Sequence, residues 1–361
     1  MTAKPRVVVA MSGGVDSSLT AALLVRQGYD VIGATMQIWD TERESDDRGC
    51  CSLTAVGDAR RVADTLGIPY YVLNFRDIFQ KTVVEYFIRE YASGRTPNPC
   101  IACNRYVKFE GLLKKAFALG AEYLATGHYS RISFDNQANR YVLRKGVDTT
   151  KDQSYALYNL NQQTLKHFLM PLGDFTKVET RQMAREIGLA VADKPDSQEI
   201  CFVPDDDYKK FLEEKAPQSL RPGDMVDTAG NVIGRHKGLP LYTVGQRKGL
   251  GLAAGMPLYV VALDPENNRV IVGTNNDVFS SELIAEDMNY IAFDEINQPI
   301  TAGVKIRYNA KEAPATVSPL PGGKVAVKFD TPQRAVTPGQ AVVLYDGDVV
   351  LGGGTIASVI R

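Results

Sequence analysis

An unbroken apolar run, Val7-Val8-Val9-Ala10-Met11, stops at Ser12-Gly13-Gly14-Val15-Asp16-Ser17-Ser18, and that junction limits the fold more than any other stretch of the chain. A continuous apolar run of this length reads as a strand buried on both faces. Two glycines turn the chain tightly and let backbone come close to a ligand. A helix starting at Ser17 would then aim its free N–H groups and positive dipole end at the same spot. Such a corner holds a phosphate or pyrophosphate. Ser12, Ser17 and Ser18 add hydroxyl donors. Asp16 is an odd residue at an anion site unless it orients a metal or positions a substrate. The common phosphate loop is excluded, because no Gly-Lys-Ser/Thr follows. A dinucleotide fingerprint is excluded too, because Gly-x-Gly-x-x-Gly is absent.

The next two hundred residues alternate between strand and helix patterns. Strands are expected at Val7–Met11, Val31–Trp39, Tyr70–Phe75 and Tyr123–Thr126, and helices at Ser17–Gln27, Thr54–Leu66, Ile78–Tyr91 and Arg105–Leu119. Such alternation implies an α/β fold, a doubly wound parallel sheet covered by helices. Ligands in these sheets sit at the carboxyl ends of strands. The Ser12–Ser18 loop, the end of Val31–Trp39 and Thr126-Gly127-His128 all fall there.

The pattern changes near Pro204. A short helix, Tyr208–Lys215, is followed by short β-like runs between Gly- and Pro-rich turns: Leu258–Leu263, Val270–Val272, Val304–Tyr308, Val325–Phe329, Ala341–Tyr345 and Thr355–Ile360. Regular short strands of this kind suggest a small sandwich or barrel. Three domains are expected: the doubly wound domain over 1–204, a small central domain over 205–275 and a C-terminal β-barrel over 276–361.

The chain has 361 residues and a net charge of −1, so a nucleic-acid surface would have to be local. Two such places exist. Arg95, Arg105, Lys108, Lys114 and Lys115 stand against one acid, Glu110, and Arg235, Lys237, Arg247 and Lys248 surround Tyr242 with no acid among them. Lysines and arginines so grouped neutralise phosphates and fix register, although scattered lysines also serve as a plain solvated face. No apolar stretch approaches membrane-spanning length, and no secretion signal is evident. The five cysteines therefore suggest a reducing compartment, the cytoplasm.

Cys100 and Cys103 form a Cys-x-x-Cys pair after the stiff Thr96-Pro97-Asn98-Pro99 approach, just ahead of the expected helix at Arg105. A thiol beside a helix N-terminus ionises more readily, and Arg105 and Lys108 act in the same direction. Cys201 lies far along the chain in Ile200-Cys201-Phe202. Three readings stand side by side: a redox pair of Cys103 and Cys201 that moves sulfur, an iron–sulfur or metal site on Cys100, Cys103 and Cys201 with one open position, or three small buried hydrophobes. A closed zinc site lacks an evident fourth ligand, and no metal site is assigned. Neighbouring Cys50 and Cys51 have no functional reading.

Ser12-Gly13-Gly14-Val15-Asp16-Ser17 after an apolar strand resembles the pyrophosphate loop of the ATP pyrophosphatases. With Thr96-Pro97-Asn98-Pro99, Cys103-Asn104, Ala125-Thr126-Gly127-His128-Tyr129, Lys151-Asp152-Gln153-Ser154-Tyr155, Asp196-Ser197, Ile200-Cys201-Phe202, Gly245-Gln246-Arg247-Lys248-Gly249-Leu250-Gly251 and Thr337-Pro338-Gly339-Gln340, the whole chain resembles the tRNA-specific 2-thiouridylase family. That resemblance implies a reaction in two halves. ATP adenylates the oxygen at position 2 of the wobble uridine of tRNA, and a persulfide on Cys201 replaces the activated oxygen. Cys103 is the nucleophile that works with Cys201, leaving a disulfide to be reduced.

The resemblance also implies site residues. Ala10, Met11, Ser12, Gly13, Gly14, Val15, Asp16 and Ser17 would hold the phosphates of ATP, with Met36 and Gly127 against its adenosine part. Asn98, Pro99 and Cys100 would approach the target base, and His128, Lys151, Asp152, Gln153, Arg307, Tyr308 and Gln340 would contact tRNA or shape its site. Read without the resemblance, Met36 is core packing, His128 a strand-end histidine, and Arg307 and Tyr308 a strand residue and its neighbour. ATP and Mg2+ are the expected small partners, tRNA and a sulfur-donor protein the large ones. Many relatives carry Asp where this chain has Cys100. The extra thiol keeps an iron–sulfur cluster as an alternative route to thiolation, and permits a Cys100–Cys103 disulfide.

Overall fold

The computed structural model describes residues 4–39, 53–196, 200–252 and 255–360, so Cys50 and Cys51 lie outside it. Its described residues pack as two units. One contains Met1–Val83, Cys100–Asp206 and Asp348–Val350, the other Val84–Pro99, Asp207–Gly347 and Leu351–Arg361.

The first unit is built on a parallel sheet of β1 (Arg6–Ala10), β2 (Asp30–Gln37), β3 (Tyr70–Asn74), β4 (Tyr123–Ala125) and β7 (Phe168–Leu169), in the order β3-β2-β1-β4-β7. Between β4 and β7 comes an antiparallel hairpin, β5 (Ser130–Asp135) with β6 (Arg140–Lys145). The apolar run explains the central place of β1: Val7, Val8 and Val9 are fully buried, with β2 on one side and β4 on the other. Chain order reverses around β1, and a crevice therefore opens beyond the carboxyl ends of β1 and β4. Helix α1 (Val15–Arg26) leaves β1 through the loop, and α2 (Leu53–Leu66) buries Ala55, Ala59, Val62 and Ala63, the one-face spacing of an amphipathic helix.

Two helices differ from expectation. The Ile78–Tyr91 helix begins at Arg76 and is wound in the wide i→i+5 pattern over Gln80–Val84. The helix expected from Arg105 begins at Pro99, runs to Ala118, and is wide-wound over Cys103–Leu112. Proline suits a first helical position, because its missing N–H has no partner to lose. Cys103 thus sits inside the helix rather than ahead of it. The N-terminal dipole fades within the first turn, so the expected push toward thiolate is weaker than a cap position would give.

The second unit holds two sheets. A four-stranded one is ordered β10 (Tyr259–Asp264), β11 (Arg269–Gly273), β8 (Gly223–Val226), β9 (Val232–His236). Its core is Met225, Leu239, Leu241, Val260, Val270 and Val272. The other runs β12 (Phe279–Tyr290), β15 (Lys324–Arg334), β14 (Ala313–Leu320), β13 (Ile300–Lys305), β16 (Ala341–Asp346), β17 (Val349–Ile360), and β12 pairs back onto β17 to close a six-stranded barrel. Val325, Val327 and Phe329 alternate inward along β15, as a half-buried strand requires. The strand expected over Val304–Tyr308 ends at Lys305, so Arg307 and Tyr308 occupy the turn beyond it.

Candidate active site at the carboxyl edge of the parallel sheet

Sheet register gathers the loop residues. Ala10 pairs with Ala34, Val9 with Ala125, and Met36 with Leu73, so Met11–Gly14, Met36 and Thr126–His128 all emerge at one edge. Gly14 caps α1 from an extended conformation. Its carbonyl accepts the Ser17 hydroxyl at 3.2 Å and the Ser18 hydroxyl at 2.9 Å, while Ser17 Oγ accepts the Ser12 N–H at 3.1 Å. The turn is thus tied to the first helical turn before any ligand arrives. Gly13 has φ +70°, and a Cβ there would lie 2.2 Å from the Ala55 carbonyl oxygen, so no larger residue fits. Gly127 is constrained differently. A Cβ there would stand 2.8 Å from the Asp16 carbonyl carbon and 2.9 Å from the Ser17 nitrogen, so the end of β4 lies directly against the start of α1.

Asp16 has a partner that the sequence did not single out. Lys177 Nζ lies 2.7 Å from Asp16 Oδ1 and 2.8 Å from Oδ2, and the Tyr129 hydroxyl donates to Oδ1 at 2.8 Å. Burial and the Asp16 charge push the Tyr129 hydroxyl far above its ordinary value, so it stays a donor. Lys177 also reaches Asp196 Oδ1 at 2.7 Å, and Lys151 reaches Asp196 Oδ2 at 2.8 Å. Asp196 is drawn up by burial, but hydrogen bonds and charge from Lys151 and Lys177 prevail and hold it below the usual carboxylate range. A second unforeseen lysine, Lys194, donates to the Gly13 carbonyl at 3.1 Å and to Asp58 at 2.6 Å. The signal for Lys177 was present in Thr176-Lys177-Val178-Glu179, a helix start with a complete capping box.

The residues at 151–153 act on local structure. Gln153 accepts the Tyr129 N–H at 3.0 Å, and Asp152 accepts from Gly146 N and Ser154 N, both at 3.1 Å. His128 is buried, with Nδ1 2.8 Å from Thr126 Oγ1. Burial, helped by the Lys108 charge, pushes its pKa well below the ordinary value, so it stands neutral at pH 7. Lys108 comes from the Cys103 helix, where it donates to Asn104 Oδ1 at 2.8 Å, and Asn104 donates to the Ala156 carbonyl at 2.9 Å. The helix that bears Cys103 is thereby fixed beside the Gly127–His128 edge.

Cys100 and Cys201 are exposed and Cys103 half-buried. Phe202 anchors the Cys201 position: it stacks on Trp39 at 6.5 Å and meets Phe79 edge-on at 5.6 Å. Among the described residues no three His, Cys, Asp or Glu side chains group as metal ligands. The loop's one carboxylate, Asp16, is already engaged through both oxygens, and the described residues offer Mg2+ no ready-made cage.

The remaining expected residues belong to the second unit. Gln340 Nε2 donates to the Thr96 carbonyl at 2.9 Å and the Pro97 carbonyl at 3.3 Å, and so braces the strand of chain that leads into Asn98 and Pro99. Arg307 donates to the Ala335 carbonyl at 3.0 Å, and Tyr308 is 40% exposed.

The family model described as the tRNA methyl transferase HUP domain matches residues 5–205, its PRC-barrel domain matches 209–274, and an aminomethyltransferase β-barrel domain matches 280–356. The tRNA-specific 2-thiouridylase of Acetivibrio thermocellus is 61% identical over 98% of this chain and 99% of its own length. That of Carboxydothermus hydrogenoformans is 58% identical over 98% of each. Among solved structures, a 4-thiouridine synthetase–RNA complex with bound ATP is 18% identical at a TM-score of 0.35, over 60% of this chain and 51% of that one.

Proposed function

The chain belongs to the tRNA-specific 2-thiouridylase family, and from that membership we infer that it replaces the oxygen at position 2 of the tRNA wobble uridine with sulfur, using ATP. Kinship over the full length carries the activity. The chemistry is argued from the site.

ATP is the first substrate. Free N–H groups at the start of α1 and the Ser12 hydroxyl suit its phosphates, while the Ser17 and Ser18 hydroxyls, bonded to the Gly14 carbonyl, hold the turn in place. Met36 and Gly127, at the same sheet edge, suit the adenosine part. Oxygen 2 of the uridine attacks the α-phosphorus, an O–P bond forms, and pyrophosphate leaves. The base carbonyl, otherwise a poor leaving group, becomes an adenylate. Mg2+ would accompany the ATP phosphates and offset their charge.

Sulfur comes second. A donor protein loads Cys201 as a persulfide. The outer sulfur attacks carbon 2, and AMP leaves with the original oxygen. The Cys103 thiolate then attacks Cys201 Sγ, which frees the 2-thiouridine and leaves a Cys103–Cys201 disulfide for a thiol reductant. Exposure of Cys201 suits a donor protein's approach, and the fixed Cys103 helix suits a resolving nucleophile. A reducing cytoplasm is the setting such thiols need. Asn98, Pro99 and Cys100 are assigned to the target base, and His128 to tRNA or to the shape of its site. Lys151, Asp152, Gln153, Arg307, Tyr308 and Gln340 are assigned to tRNA or to the loops that meet it. Domains at 1–204, 205–275 and 276–361 divide these tasks.

Nucleoside analysis of tRNA from cells lacking the chain tests the activity. Derivatives of 2-thiouridine should vanish on deletion and return with the intact gene. Persistence after deletion would refute the assignment.

A further inference from the structure

We propose that Asp196 is a positioning residue for the sulfur-delivery half of the reaction: three cations fix it beside the pyrophosphate loop, and it sets where the segment leading to Cys201 begins. The inference rests on the reading that Cys201 delivers sulfur.

Lys177 Nζ at 2.7 Å, Lys151 Nζ at 2.8 Å and Arg181 Nη2 at 3.3 Å all converge on this carboxylate. One cation would neutralise it. Three, Lys151 from one stretch of chain and Lys177 and Arg181 from successive turns of one helix, determine its position in space. Arg181 extends the grip backward by donating to the Ala192 carbonyl at 2.9 Å and the Lys194 carbonyl at 3.0 Å. Lys177 is held in turn: its side chain is 10% exposed, its N–H donates to Asp148 Oδ2 at 2.9 Å, and it opens a helix with a complete capping box.

The same Lys177 ammonium binds Asp16 in the loop, so one buried cation ties the ATP site to Asp196. Asp196 precedes Cys201 by five positions. Beyond Cys201, Phe202 is locked against Trp39 and Phe79. The thiol therefore lies between two anchors, one ionic and one aromatic.

Asp196→Asn keeps the shape and removes the charge. Pyrophosphate and 2-thiouridine are measured together in single turnovers of the full-length protein with tRNA, ATP and a persulfide donor. Wild type should form the two in equal amounts. The variant should release pyrophosphate within about twofold of wild type but form 2-thiouridine about tenfold more slowly, as for a misplaced reacting group. Equal effects on both products, or none on either, would overturn the proposal. Should Asp196→Asn show the Trp39 emission of the urea-unfolded chain, Arg181→Met, which removes one of the three cations on Asp196, is measured instead and the same ratio decides. If Cys201→Ser still forms 2-thiouridine, the sulfur-delivery reading itself fails. If Cys201→Ser is inactive while the charge variants keep the wild-type ratio, only the role of Asp196 fails.

Discussion

Lys177 Nζ is bonded to both carboxylate oxygens of Asp16, at 2.7 and 2.8 Å, although 161 positions separate the two residues. An acid at the mouth of an anion site is thereby neutralised by a cation that is itself nearly buried. Lys177→Met leaves that acid without its counter-charge, and breaking such a pair costs about 3 kcal/mol. Urea unfolding should show a loss of that order, partly restored in Lys177→Arg, together with weaker ATP binding. An unchanged unfolding midpoint would contradict this account of the loop.

Gly127 backs onto Asp16 and Ser17 with no room for a methyl group. Gly127→Ala should force the β4 end and the α1 start apart and cost about 1–3 kcal/mol. The same displacement should raise the KM for ATP more than it lowers turnover at saturation. Calorimetry and steady-state pyrophosphate release check the two halves of this expectation.

His128 carries a pH prediction. Burial, with the Lys108 charge, keeps its folded pKa well below 6.5, whereas in the unfolded chain it titrates near the ordinary value. Between those values the unfolded chain binds more protons, so stability must fall as pH drops below about 6.5. His128→Gln removes that titration. Its unfolding free energy should decline less than wild type between about pH 6.5 and 5. Parallel declines in both proteins would show that His128 does not titrate as described.

Trp39 is the chain's only tryptophan, and it stacks on the residue that follows Cys201. Its emission therefore reports on the place where sulfur would be carried. Phe202→Ala should shift that emission to the red and destabilise the first unit by about 3 kcal/mol, the usual cost of emptying an aromatic site. It should lower 2-thiouridine formation more than pyrophosphate release. An unshifted spectrum would count against the stacking.

Much of this site could be read before folding. The buried strand, the glycine turn and the helix after it follow from Val7–Ser18 alone, since period and glycine chemistry agree there, although the helix begins at Val15, capped by Gly14, and not at Ser17. Gly127 and Met36 reached the same edge because parallel sheets put strand ends together. The pairings of Lys177 with Asp16 and of Lys194 with Asp58 were not legible, because an ion pair between distant stretches leaves no local pattern, although the capping box at Thr176–Glu179 marks the helix that Lys177 opens. The hairpin Ser130–Lys145 was missed for another reason: its strands mix arginine and serine with half-exposed apolar residues and show no clean alternation. The start of the Cys103 helix was misplaced because two prolines suggested an extended approach, yet Pro99 itself takes the first helical position.

The central claim is that adenylation and sulfur delivery are separate acts, with Cys201 carrying the sulfur. Cys201→Ser, purified and given tRNA, ATP and a persulfide donor in a single turnover, separates them most directly. It should release pyrophosphate at close to the wild-type rate and form no 2-thiouridine. Formation of 2-thiouridine by this variant would contradict the account.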